Sequence, residues 1–308
     1  MARTFVDKLE AIVLPTPKMG IESFERDPNI SYVSSDSPLS QGPLHSEIAR
    51  TGRLNSKQFR ACINELRLSH VHHRKHWEFA FILEVLRERG LLKRGMKGLG
   101  FAVGKERIPA YLAAHGCEVL ASDLADDNKG NKGWDVTGQW SAAVEDLMFP
   151  DICSNEILRK NVKFRPIDMN HIPNDVSGFD FTWSTCSFEH CGSLELGIRF
   201  LENQMNCLRP GGVAVHTTEF NLSSNSRTSK GGKTAIYRLR DIEDAVKRLQ
   251  DKGHTVEPLD IRLGDDPLDR TVDRRKGDPR QYSDTKHMRL LLNGYATTSI
   301  GLIIAKST

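Results

Sequence analysis

The sequence lacks long apolar runs and shows no strong excess of charge of either sign. No stretch approaches the roughly 18 consecutive apolar residues that a membrane-spanning helix needs. The 43 Lys and Arg residues are nearly balanced by 40 Asp and Glu residues, so the formal net charge is only +3 at pH 7. Nucleic-acid-binding domains usually carry a strong basic patch. We therefore expect neither a membrane nor a nucleic-acid partner.

Cysteine is scarce and unpatterned. The six cysteines include no CxxC pair and none of the dense spacing of a disulfide framework. The segment MARTFVDKLEAIVLPTPKMG at the start lacks the apolar stretch and small-residue cleavage site of a signal peptide. Reduced thiols in a cytoplasmic protein fit these absences best. No segment has the ligand spacing of a structural zinc site, and we expect no metal.

The most informative segment that is present is Gly98–Asp123, where a glycine-rich loop leads into a helix and a short apolar strand. Gly98, Gly100 and Gly104 let the backbone take strained angles and let a ligand lie against the main chain, beside the N–H groups of a helix N-terminus. Asp123 ends the next strand, where a carboxylate can accept hydrogen bonds from both ribose hydroxyls. The pattern predicts a Rossmann-like protein that binds a nucleoside-containing cofactor.

Downstream segments continue the alternation of strands and helices. Phe164–Ile172 is predicted as a third strand with Asp168 at its exit, and Gly178–Gly192 as a fourth strand followed by a polar turn. A helix with apolar residues at 194, 198, 201, 205 and 208 comes next. Arg209–Gly212 stops that helix before the buried strand Val213–Thr218. The succession predicts a mostly parallel sheet with right-handed crossovers.

These motifs together resemble the class I S-adenosylmethionine-dependent methyltransferases over residues 72 to 305. In that family the glycine loop holds the methionine part of the cofactor, the acid after strand two holds the ribose, and an Asp after strand three contacts adenine. His73–Glu78 (HRKHWE) and His216–Asn221 (HTTEFN) are similar to segments of a bacterial subgroup, in the small-molecule branch. The resemblance implies an α/β fold with a Rossmann-like, mostly parallel seven-stranded sheet flanked by helices. That domain would span residues 71–308, behind an N-terminal helical and extended arm at 1–70.

The resemblance also implies a site for S-adenosylmethionine. The family usually has an acid two residues before the first loop glycine, whereas this chain has Gly98 there. We expect Glu78, Glu106 or water to meet the cofactor's ammonium group instead. Trp77 is expected to stack on the ligand, with a solvated helix start as the alternative for this segment. The full set of expected cofactor contacts is Gly100, Phe101, Ala102, Gly104, Asp123, Leu124, Asp168, Met169, Ser184, Thr185, Trp77 and Glu78.

Polar side chains follow strands four and five, at the sheet edge where open parallel sheets bind substrates. Glu189, His190, His216 and Glu219 are expected to meet there. Transfer of a methyl group to a hydroxyl needs alignment and removal of the hydroxyl proton. We expect His216, Glu219 or His190 to be the catalytic base. His190 has a second interpretation, because in the family an acid–His pair after strand four often packs under the cofactor.

Three kinds of function are compatible with such a fold. A methyltransferase is favoured by the segments after the glycine loop. The alternative is an NAD-dependent oxidoreductase on a Rossmann fold, and the third is a non-catalytic module, which the polar sheet edge disfavours. We therefore expect methyl transfer to a hydroxyl of a small polar molecule, such as a sugar or natural-product intermediate. The polar segment Asn221–Ile236 is expected to be a lid over the acceptor, and the sequence leaves a homo-oligomer open.

Overall fold

The computed structural model describes residues 25–39, 41–124, 140–273 and 286–308. The first 24 residues of the arm expected at 1–70 lie outside the described residues. Within the described ranges, no helix is long and apolar enough to cross a membrane. In chain order the elements are β1 (Ser46–Glu47), α1 (Thr51–Leu54), α2 (Lys57–Glu65), α3 (Arg74–Glu88), β2 (Lys97–Phe101), α4 (Ile108–Ala114), β3 (Glu118–Ala121), α5 (Asn155–Asn161), β4 (Val162–Phe164), β5 (Phe179–Thr185), α6 (Leu194–Gln204), β6 (Leu208–Asn221), α7 (Leu239–Asp251), β7 (Thr255–Val256), β8 (Leu259–Asp260), β9 (Leu290–Leu292) and β10 (Tyr295–Ala305).

The central sheet follows the strand order β4-β3-β2-β5-β6-β10-β7. The first five of these strands are parallel to their neighbours, and β10 is antiparallel to both β6 and β7. Side chains of α1 to α5 form one hydrophobic core with one face of the sheet, and those of α6 and α7 form a second core with the other face. This arrangement confirms the Rossmann-like α/β fold with a mostly parallel sheet.

An eighth strand, β9, adds to the seven that the sequence predicted. It pairs antiparallel with β10, and Leu292 opposes Tyr295 across a two-residue turn. The turn residues Asn293 and Gly294 have φ angles of 50° and 83°. An Asn-Gly pair favours this kind of hairpin turn because both residues tolerate positive φ. Thr297 of β10 pairs with Asn221, the last residue of β6, and with Leu290, the first residue of β9. The hairpin therefore places β9 at the edge of the sheet where β6 ends.

The third strand is shorter than predicted, and the expectation of a strand over Phe164–Ile172 is wrong. β4 ends at Phe164, and Pro166, which has no N–H to donate to a neighbouring strand, follows. The chain nevertheless continues beside β3, because the Ile167 N–H donates to the Asp123 carbonyl at 2.9 Å. This irregular segment carries Asp168 to the carboxyl end of the sheet.

Helix α3 is buried on nearly all sides, as the apolar run Trp77–Arg89 predicts. Its N-terminus is capped by His73, whose Nδ1 accepts a hydrogen bond from the Lys75 N–H at 3.0 Å. The helix lies directly against β10, where Gly301 leaves room for a ring: a Cβ there would come within 2.2 Å of Phe81 Cε1. This close packing fixes the first turn of α3 beside the carboxyl ends of the parallel strands.

The described part of the N-terminal arm packs into the same structure. β1 pairs with β8 in a small parallel sheet, and Ile48 forms a bridge with Ile300 of β10. Buried ion pairs join Glu47 to Arg50 and Arg53. The division of the chain at residue 70 stays a prediction.

Candidate cofactor and acceptor site

A cavity of about 600 Å³ lies at the carboxyl ends of the parallel strands. This is the place at which open α/β sheets bind ligands. One part, here called the loop half, is lined by Ala102–Glu106, Asp123, Leu124 and Ile167–Asn170. The other part, the α3 half, is lined by His73–Lys75, Thr185–Ser187, Glu189–Cys191, Glu219 and Leu290–Leu292. The cavity therefore spans almost the whole width of the sheet, from the segment after β4 to β9.

The loop after β2 faces the cavity with its main chain. Ala102 and Gly104 have φ angles of 48° and 52°, in the left-handed region that favours glycine. Both residues line the cavity. Gly100 and Phe101 do not, because they lie inside the sheet: a Cβ on Gly100 would come within 2.4 Å of Trp183. Of the four expected loop contacts, the structure thus places Ala102 and Gly104 against the cavity.

Asp123 lines the loop half and is held in place by backbone N–H groups. Its Oδ2 accepts from Gly104 N–H at 3.2 Å and from Ser141 N–H at 3.3 Å, and its Oδ1 accepts from Leu124 N–H at 2.8 Å. The side chain is thus oriented in advance for a ligand hydroxyl.

Apolar and polar residues alternate around the far end of the loop half. Leu124, Ile167 and Met169 offer apolar surface to a flat ring. Asp168 lines the cavity too, but it also caps its own turn, since its Oδ1 accepts from Asn170 N–H at 2.9 Å. A turn-capping carboxylate keeps acceptor capacity for a ligand amino group, so the capping role and the expected adenine contact are compatible.

Glu78 and Glu106, the two acids expected to replace the missing loop carboxylate, lie in different environments. Glu78 is fully buried outside the cavity lining, 2.9 Å from Lys75 Nζ and 3.4 Å from Arg74 Nη1. Burial alone would raise its pKa, but the charges of Lys75 and Arg74 lower it to about 2. Glu106 lines the cavity and accepts a hydrogen bond from Thr185 Oγ1 at 2.6 Å. Burial raises the pKa of Glu106 to about 8.

Arg74 connects the acidic residues of the α3 half. Its guanidinium lies 2.5 Å from Glu219 Oε1 and 3.5 Å from Cys186 Sγ. Cys186, Glu189 and Glu219 offer potential ligand atoms within 4.8 Å of one another. They fit a metal ion poorly, because the guanidinium already contacts two of them and burial raises the pKa of the Cys186 thiol well above its usual range. Burial likewise raises the pKa of Glu219.

The two histidines expected as bases lie on opposite sides of the sheet edge. His190 lines the cavity, and its Nδ1 lies 2.6 Å from the Lys233 carbonyl. His216 is fully buried on the α6 side, where its Nδ1 is 2.8 Å from Ser184 Oγ and its ring meets Phe200. Burial lowers the pKa of His216 to about 3. Neither His216 nor Ser184 lines the cavity.

Trp77 also lies away from the cavity. It is fully buried, and its ring stacks on Phe81 with centroids 4.8 Å apart. The residue occupies the core between α3 and α2, where it contacts Phe59. The structure thus gives Trp77 a packing position, and the expected stacking on a ligand finds no support in it.

A group of residues on the α3 half had no role predicted from the sequence. Asp273, His287 and the three leucines of β9 line the cavity. His287 Nδ1 lies 3.0 Å from Asp273 Oδ2. The only local signal for them was the Asn-Gly hairpin turn that creates β9. None of Asn221–Ile236, the segment expected to act as a lid, lines the cavity.

Comparison with known proteins gave matches among solved structures only. No protein-family model matches the chain, and no curated protein matches it significantly. A putative sarcosine dimethylglycine methyltransferase from Galdieria sulphuraria is 15% identical, with a TM-score of 0.45 over 76% of this chain and 84% of that one. The magnesium protoporphyrin IX methyltransferase of Synechocystis PCC 6803, with bound SAH, is 12% identical, with a TM-score of 0.42 over 73% and 80%. The cyclase SpnF is 14% identical, with a TM-score of 0.45 over 82% and 94%.

Proposed function

We propose that this chain is an S-adenosylmethionine-dependent methyltransferase that acts on a hydroxyl of a small polar molecule, such as a sugar or natural-product intermediate. The observation that carries the proposal is the composition of one continuous cavity. Its loop half offers left-handed backbone, a preoriented carboxylate and apolar surface, and its α3 half offers acid, base and guanidinium groups. These are the features that a nucleoside-containing cation and a second, polar ligand need side by side.

The chemistry of the loop half fits this cofactor. Asp123 would accept hydrogen bonds from the ribose hydroxyls, and Asp168 with Leu124 and Met169 would hold the adenine. Ala102 and Gly104 would contact the methionine part through the backbone. Glu106 would meet the ammonium group, because it is the carboxyl group of the loop that faces the cavity. A buried carboxyl group with a raised pKa is stabilised in its charged form by a cation beside it.

When bound, the cofactor supplies an activated methyl group, and the residues of the α3 half prepare the acceptor. Of the three expected bases, Glu219 and His190 line that half, while His216 does not. The ion pair with Arg74 holds Glu219 in position. His190 donates through Nδ1 to the Lys233 carbonyl, so Nε2 is its basic nitrogen. These residues would orient the hydroxyl and exclude water from it.

We also propose a cytoplasmic location. All six cysteines are buried and none forms a disulfide, which suits a reducing compartment. The sequence and the site favour a small-molecule partner, with no nucleic acid and no membrane.

Calorimetric titration with S-adenosylmethionine, S-adenosylhomocysteine and NAD tests the proposed function. We expect both adenosyl ligands to bind and NAD not to bind. Asp123→Asn should weaken binding roughly 10- to 100-fold, because hydrogen bonds to a charged group contribute about 1.5–3 kcal/mol. Asp175→Asn is the matched control, since Asp175 pairs with Arg165 at the surface away from the cavity. Binding of NAD alone would favour the oxidoreductase alternative and overturn the proposal.

A further inference from the structure

The α3 half contains a histidine–aspartate pair that none of the expected roles uses. His287 and Asp273 both line the cavity, and His287 Nδ1 lies 3.0 Å from Asp273 Oδ2. Their side chains are only 12% and 13% exposed. A carboxylate at Nδ1 fixes the neutral imidazole with its proton on that nitrogen and stabilises the imidazolium that forms when Nε2 takes up a second proton. The pair is therefore built to accept a proton.

Backbone hydrogen bonds hold this pair rigidly. The His287 N–H donates to the His72 carbonyl at 2.7 Å, and its own carbonyl accepts from the Arg74 N–H at 2.9 Å. The Asp273 N–H donates to the Arg289 carbonyl at 2.8 Å. The pair is thereby fixed to the first turn of α3, whose Arg74 contacts Glu219 on the other side of the same half.

The neighbouring groups favour His287 over His73 and Glu219 as the base. The His73 ring lies 5.1 Å from the His287 ring, and burial together with His287 lowers the pKa of His73 to about 2, so His73 stays neutral. Glu219 is engaged by the Arg74 guanidinium at 2.5 Å. Of these side chains, only His287 has a carboxylate partner placed to stabilise its protonated form.

An apolar wall adjoins the pair. Leu290, Leu291 and Leu292 directly follow the His287 segment in β9, and all three line the cavity together with Phe79. The Leu291 N–H donates to the Asp273 carbonyl at 3.1 Å, so the wall and the pair form one unit. A fully polar acceptor would gain little from three leucines, whereas the flat apolar side of a ring would bury surface against them.

We propose that Asp273, His287 and Leu290–Leu292 form the acceptor subsite, and that this subsite takes a hydroxyl group carried on an apolar, ring-shaped framework such as a phenol. The hydroxyl proton passes to Nε2 of His287 while its electron pair stays on oxygen, which gives an imidazolium beside the Asp273 carboxylate. The proposal rests on the proposed function and narrows its acceptor, from hydroxyls of small polar molecules in general to hydroxyls on apolar rings.

Absorbance titration with 4-nitrophenol tests the subsite, because its phenolate absorbs visible light and its neutral form does not. Protein saturated with S-adenosylhomocysteine should bind the probe and lower the pH at which half of it is ionised. His287→Gln should abolish that shift, and Asp273→Asn should reduce it. Leu291→Ala should weaken binding about tenfold, as expected for lost apolar contact, but leave the ionisation shift in place.

Matched controls are available elsewhere on the chain. His70→Gln changes an exposed histidine that bonds Asn64, and Ile157→Ala shortens an exposed apolar side chain on α5; neither should alter the titration. Unchanged ionisation in His287→Gln, or tight binding of methyl glucoside with none of 4-nitrophenol, would overturn the proposal. Calorimetry with S-adenosylhomocysteine on the same samples distinguishes the two proposals. If the wild-type protein does not bind S-adenosylhomocysteine, the proposed function is contradicted. If 4-nitrophenol nevertheless binds with the ionisation shift, the subsite proposal stands. Thermal unfolding shows whether each variant is folded.

Discussion

At the scale of single residues, we expect Glu106 to determine how cofactor binding depends on pH. Burial raises its pKa to about 8, so the cofactor-free protein keeps this carboxyl group largely protonated at pH 7. A bound cation would lower that pKa, and the proton would be released. Affinity should therefore rise with pH toward about 8 and fall again at higher pH, where the ligand's own ammonium group loses its proton.

We expect calorimetry at pH 7, in buffers of different ionisation enthalpy, to show proton release when S-adenosylmethionine binds. Glu106→Gln should release up to one proton fewer and bind roughly 10- to 100-fold more weakly, since it loses an ionic contact. Glu84→Gln is the control, because burial also raises the pKa of Glu84, to about 7, but Glu84 lies outside the cavity. Equal proton release by wild type and Glu106→Gln would assign the ammonium contact to another group.

At the scale of secondary-structure elements, helix α3 connects the packing of the core to the cavity. It contributes Arg74 and Lys75 to the cavity, beside its capping residue His73, and it approaches β10 only because Gly301 has no side chain. Any added atom at that glycine must displace the Phe81 ring or the whole helix. The helix position, and with it the α3 half, thus depends on one glycine that does not itself line the cavity.

Gly301→Ala should lower the free energy of unfolding by about 1–3 kcal/mol, the usual cost of overpacking a core. Phe81→Leu should be mildly destabilising by itself but should recover part of the loss in the double variant, because the smaller side chain frees the space. Urea denaturation of the four proteins gives the coupling energy. Strictly additive effects would mean that the Gly301–Phe81 contact does not set the distance between α3 and β10.

At the scale of the whole molecule, buried carboxyl groups should make the cofactor-free protein less stable in mild alkali. The pKa of Glu106 rises from 4.5 to about 8, and burial with the nearby Glu219 also raises the pKa of Glu189. A raised carboxyl pKa contributes stability that is complete below pH 4.5 and is lost as pH rises to the folded-state value. The buried His73 and His216 act in the opposite direction, but only below their usual pKa of 6.5.

Between pH 6.5 and 8, the pH dependence of the free energy of unfolding therefore reports on the buried carboxyl groups and not on these histidines. Thermal or urea unfolding should show stability falling across it by up to about 1.4 kcal/mol per pH unit for each group. The Glu106→Gln, Glu189→Gln double variant should show a flatter profile. A wild-type protein whose stability rises between pH 6.5 and 8 would contradict the assignment of neutral, buried carboxyl groups in the cavity.

The sequence by itself determined the alternation of strands and helices, the glycine loop and the position of Asp123. These features depend on neighbours within about twenty residues: apolar periodicity, glycine conformation and helix ends are local properties. The apolar run Trp77–Arg89 likewise indicates by itself that α3 is buried. The predicted third strand was too long, because the missing N–H of Pro166 was not taken into account. The Asn-Gly turn that creates β9 was also overlooked.

Only the tertiary structure decided which polar side chains share the cavity. Successive strand residues point to opposite faces, so His216 turns toward α6 while Glu219 turns toward α3, a choice set by the register of β6 in the sheet. Glu106 rather than Glu78 faces the cavity because Arg74 and Lys75 engage Glu78 inside the core. His287 meets Asp273 and His73 through contacts between distant parts of the chain. No local pattern reports such contacts, since they form only when the helix and the sheet pack together.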